Sequence, residues 1–170
     1  SHPGAGTRNA LLSLDNHQCL EIIAPDPEQA LTGTTGQLLL DHGGTGIRSW
    51  AIACDSLTNV AALAAARNIA TRDITDMSRT TPDGIKLAWQ LLFLTDPHMP
   101  FFIDWLKSPH PALATPTGCQ LKSFHISATA PETYSNLLTD LALSIAVTAG
   151  ANAFTAELET PKGIVLLDSW

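Results

Sequence analysis

Charge is sparse in this 170-residue chain: Asp, Glu, Lys and Arg make up 15% of it, and the net charge is −7. An acidic chain without interleaved basic and aromatic residues is not built to hold nucleic acid or an anionic membrane. No apolar run reaches the roughly 18 residues that a membrane span needs. Cysteine is scarce as well. Cys19, Cys54 and Cys119 are odd in number, widely spaced and set among apolar neighbours. With no CxxC there is no zinc ribbon and no thioredoxin motif, and the three read as buried free thiols in a reducing, cytoplasmic compartment. There is no GxSxG elbow, P-loop or dinucleotide-binding glycine fingerprint. The one glycine cluster, Gly43-Gly44-Thr45-Gly46, precedes a strand instead of following one. No two histidines have the HxxxH spacing of a helical metal site. The start, Ser1-His2-Pro3-Gly4, has neither the basic nor the apolar segment of a signal peptide.

What the chain does have is apolar bulk, 45% hydrophobic, with two carboxylates embedded in it. Glu21 lies in Cys19-Leu20-Glu21-Ile22-Ile23, and Asp104 in Phe101-Phe102-Ile103-Asp104-Trp105-Leu106. A carboxylate in a buried strand is costly unless something pairs with it. Strand alternation groups Glu21 with Cys19 and Ile23, and Asp104 with Phe102 and Leu106, which predicts a shielded face for both. A shielded acid without a cation nearby has a raised pKa, as a general base or acid needs.

An internal repeat accompanies them. Ile47-Arg48-Ser49-Trp50-Ala51-Ile52-Ala53 is echoed by Leu121-Lys122-Ser123-Phe124-His125-Ile126-Ser127, with Trp50 and Phe124 standing 74 residues apart. Each copy reads as a strand followed by a helix. The first helix spans about 57–67, capped by Asp55 or Ser56, with Val60, Leu63 and Ala64 as its stripe. The second starts at Pro131 and carries Tyr134, Leu137, Leu138 and Leu141 at helical spacing. Strands follow each helix: about 71–79, 85–94 and 100–106, then 145–148, 154–159 and 163–167. Thr81-Pro82-Asp83-Gly84 and Thr95-Asp96-Pro97-His98 are turn sequences. Residues 9–14 and 18–24 form a hairpin across Asp15-Asn16-His17 and look like the second half of the same unit. Residues 26–46 and 107–118 read as linkers. The domain reading is a partial first module (1–26) lacking its opening strand and helix, a second βαβββ module (47–106) and a third (119–168), packed as one unit.

Several short motifs in order resemble the bacterial glyoxalase-like domain proteins of the vicinal oxygen chelate superfamily. They are His2-Pro3-Gly4-Ala5-Gly6-Thr7 with Asn9, Leu11 and Leu12; Cys19-Leu20-Glu21-Ile22-Ile23-Ala24-Pro25-Asp26; Ser78-Arg79 with Pro82-Asp83-Gly84 and Leu87-Ala88-Trp89; and Phe101-Phe102-Ile103-Asp104-Trp105 with Ser108-Pro109-His110-Pro111. The resemblance implies an α+β fold, with repeated βαβββ modules forming a curved mixed sheet around a cup. In metal-dependent members an ion in the cup chelates neighbouring substrate oxygens, held by ligands from the first and last strands of each paired module. The last-strand positions fall on Glu21 and Asp104. The first-strand positions fall on Ser49 and Ser123, and serine is a poor ligand. The opening strand of the first module is absent from this chain, which therefore looks like a piece of a longer protein. Two carboxylates with water can hold Mg²⁺ or Mn²⁺ and suit Zn or Fe poorly.

The leading expectation is an enzyme acting on a small molecule with adjacent oxygens, by proton abstraction or chelate-assisted chemistry. Glu21 and Asp104 would serve as base or metal ligand and Arg79 as substrate anchor. His2, Asn9, Trp89, Trp105 and His110 are the candidate substrate-binding residues. Gln90 lies on the strand face opposite Trp89. His17, His42 and His98 read as solvated turn or linker residues, and His125 as a surface or packing residue. A different class of reading is a metal-free protein that binds or sequesters an apolar or aromatic compound in the same cup. A third is a structural or regulatory domain with its cup filled. The enzyme requires the two carboxylates to converge, roughly within 8 Å of each other or of an ion. The bare edge of the first hairpin predicts cover from another module or a second subunit, hence a homodimer.

Overall fold

The computed structural model describes residues 1–80 and 84–170, so most of the turn expected at Thr81-Pro82-Asp83-Gly84 lies outside the described residues. The first two strands, β1 (Thr7–Ser13) and β2 (Cys19–Pro25), pair antiparallel from Thr7↔Pro25 to Ser13↔Cys19. Asp15, Asn16 and His17 turn the chain with φ of 63°, 47° and 60°. Asp, Asn and His are among the side chains that tolerate this left-handed region best. Gln18 N donates to Asp15 O at 2.8 Å and closes the turn.

Residues 26–46 are not wholly a linker. They contain α1 (Thr35–His42), whose N-cap Thr34 accepts from Gln37 N and which ends at Gly43 with φ 65°. Capping and docking hold this helix, not an apolar stripe: Leu38 and Leu40 are 59% and 56% exposed. Gly36 N donates to Ala5 O at 3.0 Å, and the helix approaches so closely that a methyl at residue 36 would collide with the Gly6 carbonyl.

Next come β3 (Ala51–Ala53), α2 (Leu57–Ala66), β4 (Thr75–Thr80), β5 (Lys86–Phe93) and β6 (Phe101–Asp104). Ser56 caps α2 by accepting from Asn59 N, and the helix buries Leu57, Val60 and Ala64. The sheet order is β3-β6-β5-β4, with β3 parallel to β6 and the other pairs antiparallel. A 3₁₀ turn (Pro111–Leu113) interrupts the second expected linker. The last segment holds β7 (Gln120–Ala128), α3 (Pro131–Asp140), β8 (Ala146–Ala149), β9 (Ala153–Thr160) and β10 (Gly163–Asp168). Its strand order is β10-β9-β7-β8, which departs from that of the preceding module. The nine-residue β7 pairs on both edges, parallel to β8 and antiparallel to β9, whereas the three-residue β3 pairs with β6 alone among the named strands.

The fold is thus α+β with three mixed or antiparallel sheets of two, four and four strands, and among the described residues they do not close into a barrel. The main core joins the two helix-bearing segments: Leu92 and Phe102 from one sheet and Ile126 and Phe154 from the other pack with Val60, Tyr134 and Leu137. Arg67 clamps the helices together with two 2.8 Å bonds to the Asp140 carboxylate. A smaller core ties Leu12, Leu14 and Leu20 of the hairpin segment to Leu121, Leu158 and Leu167. Among the described residues no helix is long and apolar enough to cross a membrane. The three cysteines are free, Cys119 buried and the other two half-buried.

Candidate functional site

Two groups of the candidate residues come together, and Asp104 joins neither. The first group stands on the N-terminal hairpin. The His2-Pro3-Gly4-Ala5-Gly6-Thr7 loop closes on itself through His2 N donating to Thr7 O at 2.8 Å and Ala5 N to His2 O at 3.1 Å. Gly4 and Gly6 supply its left-handed residues. This folding places the His2 ring with Nδ1 2.9 Å from the buried Thr7 hydroxyl and Nε2 3.6 Å from Glu21 Oε1. Asn9 Nδ2 donates to the same oxygen at 2.7 Å. The Glu21 side chain is 45% exposed, which corrects the expected shielding of this carboxylate. Cys19 shares this strand face, and its thiol pKa is raised by burial and by the Glu21 charge.

The second group is aromatic. Register places Met77 opposite Trp89, Arg79 opposite Leu87, Leu91 opposite Ile103, and Phe93 opposite Phe101, all on one face of the four-stranded sheet. The other face carries Phe102, Leu92 and Gln90, and it is the face that packs α2. Trp89 and Trp105 have ring centroids 5.9 Å apart, and Trp105 and His110 5.5 Å. Ser108 positions the intervening loop by accepting from Ala88 N at 2.8 Å and donating to Ala88 O at 2.7 Å. His110 Nδ1 accepts from Ala112 N at 3.2 Å. Burial, then the neighbouring His17, lowers the His110 pKa, so the ring is neutral near pH 7. Trp105 Nε1 is buried without a hydrogen-bond partner among the described residues.

Asp104 pairs across the strands with Gln90, on the helix-bearing face, so its carboxylate and Trp89 occupy opposite sides of the sheet. One of its oxygens accepts from Leu106 N at 2.8 Å. Leu106 has φ 52°, and this bond braces the left-handed turn that sends the chain back over Trp89. The geometry gives Asp104 a positioning contact. Asp104 also borders a cleft of about 750 Å³, together with Asp55, Lys86, Lys107 and Ser108. Glu21 does not line that cleft. The two carboxylates stand on different sheets, and the described residues include no group of three or more His, Cys, Asp or Glu able to hold a metal ion. Glu21 and Asp104 therefore do not converge on one ion site among the described residues.

His17 is exposed in its turn, as its reading as a solvated residue expects. Its turn carries it to within 6.2 Å of the His110 ring, and it lines a pocket of about 290 Å³ with Ser13, Asp15 and Leu113. His98, read as solvated, is half-buried: its ring lies 6.5 Å from Phe154 and its Nδ1 3.4 Å from Asn152 Nδ2. His125 is half-buried and meets Thr148 Oγ1 at 3.2 Å.

The sequence model of the glyoxalase-like domain family matches residues 1–142. The chain belongs to that family. Among solved structures, this glyoxalase-like domain is similar to a hypothetical protein from Staphylococcus aureus, with a TM-score of 0.59 and 16% identity over 96% of this chain and 72% of that one. At that identity the likeness is one of fold. No curated protein matches it. The family match ends just past α3, so β8, β9 and β10 of the glyoxalase-like domain lie beyond it.

Proposed function

We propose that this glyoxalase-like domain binds an apolar or aromatic small molecule on the open face of its four-stranded sheet, against Trp89, Trp105 and His110. The observation that carries this reading is that face itself. Among the described residues it presents aromatic rings against which no helix packs, while α2 packs on Leu92 and Phe102 of the reverse. On the same face Met77 and Phe93 are 40% and 38% exposed, and a contiguous exposed apolar patch marks a binding surface. A stacked ligand gains burial from the indole faces. The test is ¹⁵N NMR of the indole N–H resonances during titration with a panel of aromatic compounds. The four tryptophans give four resonances. Those of Trp89 and Trp105 should shift while Trp50 and Trp170 stay. Equal movement of all four, or of none, would sink the reading.

A second reading is an enzyme that abstracts a proton beside adjacent oxygens, with Glu21 as base. It rests on the His2–Glu21–Asn9 contacts, in which an exposed carboxylate is oriented by one donor and flanked by an imidazole. Deuterium incorporation from D₂O into an α-hydroxyketone would support it if Glu21→Gln abolishes the exchange. Exchange that survives Glu21→Gln would rule Glu21 out as the base.

A further inference from the structure

The geometry points to an aromatic carboxylate as the ligand of the open sheet face, with Arg79 as the anion's partner; this rests on the binding reading above. Among the strand residues of that face Arg79 is the one ionisable side chain, in a protein whose net charge is −7. The acidic side chains of the same sheet lie on the reverse: Asp76 pairs with Gln90, and Gln90 with Asp104. Gln90 Nε2 also donates to Asp76 Oδ1 at 2.8 Å, so the reverse face answers its own polar groups. Arg79 has no hydrogen-bond or ion-pair partner among the described residues, and its side chain is exposed. It stands opposite Leu87 and diagonal to Trp89. Diagonal neighbours across an antiparallel pair are roughly 7–8 Å apart at Cα, within reach of a long side chain.

A flat ring stacked on Trp89 would therefore project a substituent toward the guanidinium. The planar fork of arginine matches a carboxylate with two parallel bonds. The other strand residues of the face, including Met77, Leu87 and Leu91, carry no charge and suit the hydrocarbon part. A neutral ligand would leave the cation without use, and a cationic ligand would be repelled by it.

The experiment is calorimetric titration of the chain with 2-naphthoate and with its uncharged counterpart 2-naphthamide. Naphthoate should bind about twofold to fivefold more tightly, the range of a solvent-exposed ion pair. Arg79→Gln should bring naphthoate down to the naphthamide level and leave naphthamide unchanged. Arg79→Lys should restore part of the difference. If both compounds bind equally, and Trp89→Ala weakens both, the carboxylate inference is overturned and the aromatic-face reading stands. If neither compound binds, or binding ignores Trp89→Ala, the aromatic-face reading fails and takes the inference with it. Matched unfolding curves for wild type and Arg79→Gln separate a lost contact from a lost fold.

Discussion

Phe101 and Phe102 are neighbours in sequence, and the site assignment depends on which faces they occupy. Phe102 is fully buried, at 0% exposure, against Leu92 and the α2 side of the sheet. Phe93, the cross-strand partner of Phe101, is 38% exposed, and those two rings stack with centroids 5.1 Å apart. Phe102→Ala should leave a closed cavity in the core and cost about 3–5 kcal/mol. That is a large part of the roughly 5–15 kcal/mol that holds a domain together. Phe93→Ala opens onto solvent and leaves no enclosed void. Only the transfer term remains, roughly 60 Å² of lost burial at about 25 cal/mol per Å², or about 1.5 kcal/mol. Urea unfolding of both variants at pH 7, followed by far-UV circular dichroism, gives the two losses if the slope is unchanged. Equal losses, or a larger one for Phe93→Ala, would refute the register. Asp104 would then share a face with the aromatic rings, and the open-face reading would lose its basis.

Other perturbations test the elements around the site. Asp26 is 3% exposed and accepts from Ser1 Oγ, Gln29 Nε2 and Glu28 N, which hold its pKa down to about 2. A lowered folded-state pKa means stability that is present above the ordinary carboxylate value of 3.8 and is lost as pH falls toward about 2. Thermal midpoints should therefore drop between about pH 4 and 2 in wild type and less steeply in Asp26→Asn; parallel curves would deny Asp26 that role. Gly36→Ala should cost several degrees of thermal midpoint, since its methyl meets the Gly6 carbonyl and would lift α1 from the His2–Thr7 loop. A neutral or stabilising Gly36→Ala would show that α1 is not docked there. Arg67→Ala should lower the midpoint by about 1–2 °C, because the pair it breaks is solvent-screened. That difference should shrink as pH falls through the carboxylate range, since Arg67 holds the Asp140 pKa down; a pH-independent difference would assign the effect to packing instead.

The parts of the fold that depend on neighbours in sequence were readable from it. Asp15-Asn16-His17 marks the hairpin turn, Ser56 the start of α2 and Pro131 the start of α3, because turns and caps are local chemistry. α1 escaped notice for a physical reason. Its first turn contains Gly36, a weak helix former, and that glycine is there to let the helix approach Gly6. Thr34, Gly43 and the Gln37–Asp41 pair were the available signals. In the site, alternation placed Trp89 and Gln90 on opposite faces, and the register agrees. Alternation could not say which face is covered, since that depends on where α2 lands. Glu21 shows the same limit: its strand reads as core, yet the hairpin leaves its carboxylate in solvent.

The repeat carries the same lesson further. Leu57–Ala66 and Pro131–Asp140 lie at the 74-residue offset end to end, so the strand-plus-helix half of each copy is reproduced. The two copies then part. In one, the opening strand β3 pairs with the last strand, β6; in the other, β7 pairs with β8 and β9, and β10 is left at the edge. Nothing local distinguishes these outcomes, because each satisfies the same alternation. Pairing is decided by contacts distant in sequence. Ile47 N donates to Asp168 O at 2.7 Å and Trp170 N to Ile47 O at 3.0 Å, so the chain just before β3 lines up with the chain just after β10. That seam joins the two sheets at one end. Ile164, Val165 and Leu166 remain 56%, 41% and 70% exposed along β10. The family match stops at residue 142, and the strand order departs from the preceding module immediately after it. The aromatic face and the His2–Glu21 cluster both lie inside the matched region, so the proposed binding surface rests on the part of the chain that the family defines.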